Sequence, residues 1–234
     1  MTARTRLLLG VAGIAATASV VQRDRVGPRE VRAFRAVNDL PDALFSPVWV
    51  AMQGGALGAA PVAAAAGLVA GDRRLAVRLL VGGSSAWAGS KVVKRFVQRP
   101  RPVALLPATH CRGRDAAGLG YLSGHAGVVV ALVSAALPHL RGRGRVLALA
   151  AVPTVGLARL YVGAHLPLDV LGGAALGVAA DAGAALAVQA LDRRSSSAGQ
   201  RGSSARRAAA AERVTGIEPA FSAGKLKALS VELP

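Results

Sequence analysis

Residues 168–191 read LDVLGGAALGVAADAGAALAVQAL, a run of 24 residues with only two charges, Asp169 and Asp181. As a helix rising 1.5 Å per residue it would extend about 36 Å, enough to cross a hydrocarbon core of about 30 Å. Working outward, apolar runs recur at Leu7–Val21, Val48–Ala70, Leu75–Val93, Ser123–Leu137 and Val146–Leu160. The 234 residues are 53% hydrophobic and 18% charged, with 3% aromatic residues and a mean hydropathy of +0.43. Global disorder and a collagen-like repeat are excluded, and the single cysteine, Cys111, excludes a disulfide scaffold. Glycine and alanine dominate the runs and allow close helix approach in lipid. The expectation is an all-α bundle of six transmembrane helices over residues 1–191, followed by a disordered basic tail over 192–234.

The first run is short for a span. With its basic start and Ala16-Thr17-Ala18 it also resembles a signal peptide. Between Gln22 and Pro47, the spacing of Val31, Phe34, Val37 and Leu40 suggests an interfacial amphipathic helix. The net charge of +17 comes largely from arginines in short inter-span segments, which argues for a membrane protein without a nucleic-acid partner. With six spans, Arg4 and Arg6, Arg73, Arg74 and Arg78, Arg141, Arg143 and Arg145, and the basic tail share one side. The positive-inside rule makes that side cytoplasmic, although five arginines between Gln22 and Pro47 count against the rule. The protein is expected to be multi-pass in the cell membrane, and its excess of arginine over lysine hints at a GC-rich bacterial genome.

At the opposite face, Lys94 ends the third span and Arg101-Pro102 follows. Ser123-Gly124-His125 opens the fourth span, Arg159 closes the fifth, and His165 and Asp169 open the sixth. Charged groups at such depth default to functional candidates. Lys94, Arg101 and Arg159 suit the oxygens of a phosphoryl group, and Ser123 with the Gly124 amide at a helix N-terminus favours an anion. His165 and Asp169, four apart, can share one helix face, so the carboxylate orients one ring nitrogen and the other is left to attack. His125, from another helix, would protonate a leaving oxygen. The candidate set contains no carboxylate cluster, so no metal or other cofactor is expected.

The order Lys94-x6-Arg101-Pro102, Ser123-Gly124-His125, Arg159-x5-His165-x3-Asp169 resembles the three-part signature of the type 2 phosphatidic acid phosphatases. Their superfamily also holds undecaprenyl-diphosphate phosphatases and vanadium haloperoxidases. The resemblance implies a six-helix membrane fold and metal-independent hydrolysis of a lipid phosphate or diphosphate through a phosphohistidine. In that scheme His165 is the nucleophile, Asp169 its orienter and His125 the general acid. Lys94, Arg101, Ser123, Gly124 and Arg159 bind phosphate. The chain departs from the family pattern at Leu122, where proline is usual, and at Ala158, where serine is usual. The departures keep a non-catalytic lipid carrier or scaffold in view, and a phosphotransferase using the same phosphohistidine is the nearest rival.

Outside the signature, Arg95, Arg99, Arg112 and Arg114 read as headgroup contacts or solvated charges, and His110 and His139 as loop residues. Gly173-x3-Gly177 reads as close helix packing. Asp181, deep in the last span, reads as a protonated or hydrogen-bonded helix contact, with a polar coupling site as the other reading.

Overall fold

The computed structural model describes residues 1–23, 26–113 and 118–215. The described residues form helices, with only an isolated bridge between Pro100 and Leu119 in place of a sheet. In chain order these are α1 (Ala3–Arg23), α2 (Pro28–Asn38), α3 (Phe45–Met52), α4 (Ala59–Val69) and α5 (Arg73–Val97). They are followed by α6 (Pro102–Leu105), α7 (Gly124–Ala136), α8 (Gly142–Tyr161) and α9 (Pro167–Thr215). The chain divides into two units, residues 1–189 and 190–234.

Local chemistry explains the helix boundaries. Pro28 opens α2 with its fixed φ, and Asp72 caps α5 by accepting from the Leu75 amide at 2.8 Å. Ser123 caps α7, and α5 stops at Gln98, whose φ is 49°. Three helices, α1, α8 and the apolar part of α9, are long and apolar enough to cross a membrane. A fourth candidate is the pair α3 and α4, which meet at a bend of 65°. The expected straight span over Val48–Ala70 is therefore broken, at Gln53-Gly54-Gly55. A Cβ at Gly55 would lie 2.5 Å from the His125 carbonyl oxygen and 2.7 Å from Val155, so only glycine lets the bend sit against α7 and α8. The 25-residue α5 carries Arg73, Arg74 and Arg78 near one end and Lys91, Lys94 and Arg95 near the other, while α7 has 13 residues and is mostly buried.

The core joining α4, α5 and α7 is built of small residues: Ala60, Ala64, Ala76, Ala86, Ala131 and Ala135 pack with Leu79, Val128 and Leu132. α9 reaches α7 through the two glycines of the Gly173-x3-Gly177 pair, as read from their spacing. A Cβ at Gly173 would collide with the Ser123 carbonyl, and one at Gly177 with the Gly127 carbonyl. On its other side α9 receives α1, where Gly10 packs against Ala175 and Ala179. Tyr121 ties α1 further into the bundle by donating to the Ile14 carbonyl at 2.9 Å and hydrogen-bonding Thr17 at 2.8 Å.

Residues 192–215, expected as part of a disordered tail, continue the helix α9; residues 216–234 lie outside the described residues. Asp181 is a hydrogen-bonded contact between helices, accepting from Arg6 of α1 and Arg78 of α5. It is fully buried and ion-paired with both Arg6 and Arg78, at 2.6 and 2.7 Å.

Replacing Gly177 by valine forces side-chain atoms into the α7 backbone. Overpacking of this kind costs about 1–3 kcal/mol, and the unfolding temperature of the detergent-solubilised variant is expected to fall accordingly.

Candidate active site

The three sequence motifs meet at one end of the bundle. Lys94 sits in the last turn of α5 and donates through Nζ to the Leu119 and Gly120 carbonyls at 2.7 and 2.9 Å. Arg101 caps the short helix α6, beside Gly118. Ser123 is fully buried, and Gly124 begins α7 so close to α5 that a Cβ would lie 2.9 Å from the Ser90 hydroxyl. His125 occupies the first turn of α7 and is half-buried. Arg159 lies buried in the last turn of α8, where Nη1 donates to the Met52 sulfur at 2.9 Å.

From Arg159 the chain turns through Gly163, whose φ is +73°. A side chain there would meet the His110 carbonyl at 2.5 Å, so glycine is required by both conformation and space. The turn closes as the Ala164 and His165 amides both donate to the Arg159 carbonyl, at 3.1 and 3.2 Å. It delivers His165, 3% exposed, to the same region as the three cations. Burial first, and then the positive charges of Arg159, Lys94 and Arg101 with a contribution from His125, hold the His165 pKa well below 6.5. The imidazole is therefore neutral at physiological pH.

Asp169 faces His165 without forming a hydrogen bond to it: Oδ2 is 3.7 Å from Nδ1, and Nδ1 has no hydrogen-bond partner. Its oxygens are engaged elsewhere. Oδ1 accepts from Arg99 Nη1 at 2.7 Å, and Oδ2 accepts from the Leu166 amide at 2.8 Å. The Asp169 carbonyl accepts from the Ser123 amide at 2.8 Å, tying the second motif to the third.

Arg99 is the participant that the sequence reading missed. It is 2% exposed and bridges Asp169 to Glu30 of α2, donating to the Glu30 carboxylate at 2.5 and 3.1 Å. Glu30 also accepts from the Leu168 amide at 2.9 Å. Its signal was the stripe Glu30-Phe34-Asn38, at intervals of four, which is the face α2 buries. Arg112 is likewise internal. It pairs with Asp42 at 2.6 Å, donates to the Asn38 and Tyr161 carbonyls at 2.7 Å, and stacks over the Tyr161 ring at 4.2 Å. Neither is a solvated charge. Arg114 lies outside the described residues, and His110 is an exposed residue 3.8 Å from Asp39.

A helical bundle that gathers lysine, two arginines, two histidines and a carboxylate at one end defines a class of phosphate-handling membrane proteins. The profile of the PAP2 superfamily matches residues 75–193, and the chain belongs to that superfamily, the type 2 phosphatidic acid phosphatases. Two solved structures share the fold. LpxE of Aquifex aeolicus is 19% identical with a TM-score of 0.57, over 66% of this chain and 93% of its own. The transmembrane PAP2-type phosphatidylglycerolphosphate phosphatase of Bacillus subtilis is 19% identical with a TM-score of 0.58, over 81% and 96%. No curated protein matches the chain in sequence.

Two outcomes test this geometry. Arg99→Leu leaves two buried carboxylates without their cation and is expected to cost about 3–5 kcal/mol, read as thermal unfolding, while Arg99→Lys retains the charge and recovers part of it. In NMR titration of labelled histidines, the signal lost in His165→Ala is expected to have its midpoint well below pH 6.5.

Proposed function

We propose that this protein is an integral membrane phosphatase that hydrolyses a lipid phosphate or diphosphate through a phosphohistidine, without a metal. The carrying observation is a buried, neutral His165 among Lys94, Arg101 and Arg159. A neutral imidazole is the nucleophilic form, and cations fixed around it favour the charge of a phosphoryl group in its transition state. In this mechanism His165 Nε2 attacks phosphorus while Nδ1 stays on the Asp169 side. The P–O bond to the leaving group breaks as the P–N bond forms, and His125 passes a proton to the leaving oxygen. Water then attacks phosphorus, the P–N bond breaks, inorganic phosphate departs, and His125 takes the water proton. Ser123 and the Gly124 amide add hydrogen bonds to the phosphoryl oxygens.

The charge balance supports metal independence. Asp169 is the carboxylate at His165, and both of its oxygens are occupied by Arg99 and the Leu166 amide. Among the described residues no group of three or more histidine, cysteine, aspartate or glutamate side chains could hold a metal ion. The full architecture we propose counts α5 and α7 as the remaining spans. That gives six helices with the active site at their extracytoplasmic ends, where a headgroup is level with the cations while its tails stay in hydrocarbon. The substrates proposed, in order, are a polyprenyl diphosphate or phosphate, phosphatidylglycerol phosphate, and phosphatidic acid. The second is the substrate named for the Bacillus subtilis structural neighbour.

The test is phosphate release from that panel by the detergent-solubilised protein, with His165→Ala alongside. Hydrolysis is expected to fall at least about 10³-fold in the variant and to persist in EDTA. Full, magnesium-reversible loss in EDTA overturns the metal-free chemistry. Transfer of phosphate to an added lipid alcohol in preference to water would identify a transferase. Lipid binding without turnover, unchanged by loss of His165, would identify a carrier.

A further inference from the structure

The end of the bundle away from His165 carries a second concentration of charge that phosphate hydrolysis does not use. Asp181 lies twelve residues beyond Asp169 on α9, about 18 Å along the axis. It is fully buried and receives two guanidiniums. Arg78 donates through Nε to Oδ1 at 2.7 Å and through Nη2 to Oδ2 at 2.8 Å, a two-point pair that by itself satisfies the carboxylate. Arg6 adds a third bond, from Nη1 to Oδ2 at 2.6 Å. Two cations on one anion leave a surplus of one positive charge. Arg145, in the first turn of α8, makes one long side-chain bond to the Leu137 carbonyl at 3.4 Å and, among the described residues, no ion pair, which adds to the surplus.

These three arginines line a single open pocket of about 430 Å³ together with Met1, Ser134, Leu137 and Pro138. Arginines that only set topology extend into water and need no buried partner. Arg6 and Arg78 are instead drawn onto Asp181, with side chains 23% and 17% exposed, so their positions are fixed and their surplus charge is held in a cavity. Arg6 uses one of its five N–H donors on Asp181, leaving the others for a ligand. Apolar residues adjoin these arginines in the chain: Val77 next to Arg78, and Val146 and Leu147 next to Arg145, are exposed. An anion held there would have hydrocarbon next to it, which suits a lipid better than a free ion.

We propose that the pocket formed by Arg6, Arg78 and Arg145 binds the phosphate of an anionic phospholipid in the leaflet opposite the catalytic end. One phosphodiester charge offsets part of the surplus, and a zwitterionic headgroup would bring its ammonium toward the same guanidiniums.

The test measures binding of dioctanoylphosphatidylglycerol to the full chain in an uncharged detergent, without reference to turnover. Every sample carries Arg101→Ala, so that the catalytic end contributes little anion binding. Arg145→Gln removes the exposed arginine and leaves the Arg6–Asp181–Arg78 cluster whole, which equal unfolding temperatures would verify. Losing one charged hydrogen-bond donor is expected to weaken binding about tenfold or more, and Arg145→Lys to restore most of it. Equal binding by Arg145→Gln and its parent overturns the proposal. So does equal binding of dioctanoylphosphatidylcholine, or displacement of the lipid by an equal concentration of inorganic phosphate.

Discussion

Asp169 is the residue on which the His165 end of the bundle depends. Its side chain closes the turn that follows His165 by accepting from the Leu166 amide, and it accepts from Arg99 at the same time. Its carbonyl holds the Ser123 amide at the entry to α7. One residue thus fixes the third motif, anchors the second and, through Arg99 and Glu30, draws α2 onto the site. A carboxylate buried to this extent is tolerated because a guanidinium and an amide replace the water it has lost. The same engagement keeps Asp169 away from full proton transfer with His165 and leaves it an electrostatic neighbour at 3.7 Å.

Close helix approach is the second condition. Gly173 and Gly177 bring α9 to the α7 backbone, Gly124 brings α7 to Ser90 of α5, and Gly55 seats the bend between α3 and α4 against His125. With so few large aromatic residues, the bundle relies on alanine and glycine contact, and Arg78 and Arg99 between its segments are paired with buried carboxylates. Arg159 shows how tightly the two features are combined: its buried guanidinium rests on Met52, at the end of α3 where the chain is about to bend.

Much of this was legible in the sequence, because apolar runs of span length and motifs at helix ends are both linear signals. The glycine pair on α9 was legible for the same reason. Arg99 and Arg112 were not, since a basic residue in a loop looks the same whether it meets water or partners about seventy residues away, buried carboxylates for Arg99, and Asp42 with backbone carbonyls for Arg112. Glu30 was hidden by a pattern that weighs apolar positions, when α2 buries two polar residues with Phe34 between them. The bend at Gln53-Gly54-Gly55 was masked by the apolar residues on both sides, and the helix beyond residue 191 by a composition that reads as disordered. Asp181 required the pairing of α1 and α5 with α9, which is a tertiary fact.

The placement of Asp169 and Asp181 has a mechanical consequence. Twelve residues at about 100° each put the two side chains about 120° apart around the α9 axis. Each is clamped by arginines from other segments, at heights about 18 Å apart. Two clamps at different heights and different azimuths remove both piston and rotational freedom from that part of the helix. The turn that carries His165 therefore leads into a helix held against both sliding and turning by partners on other segments.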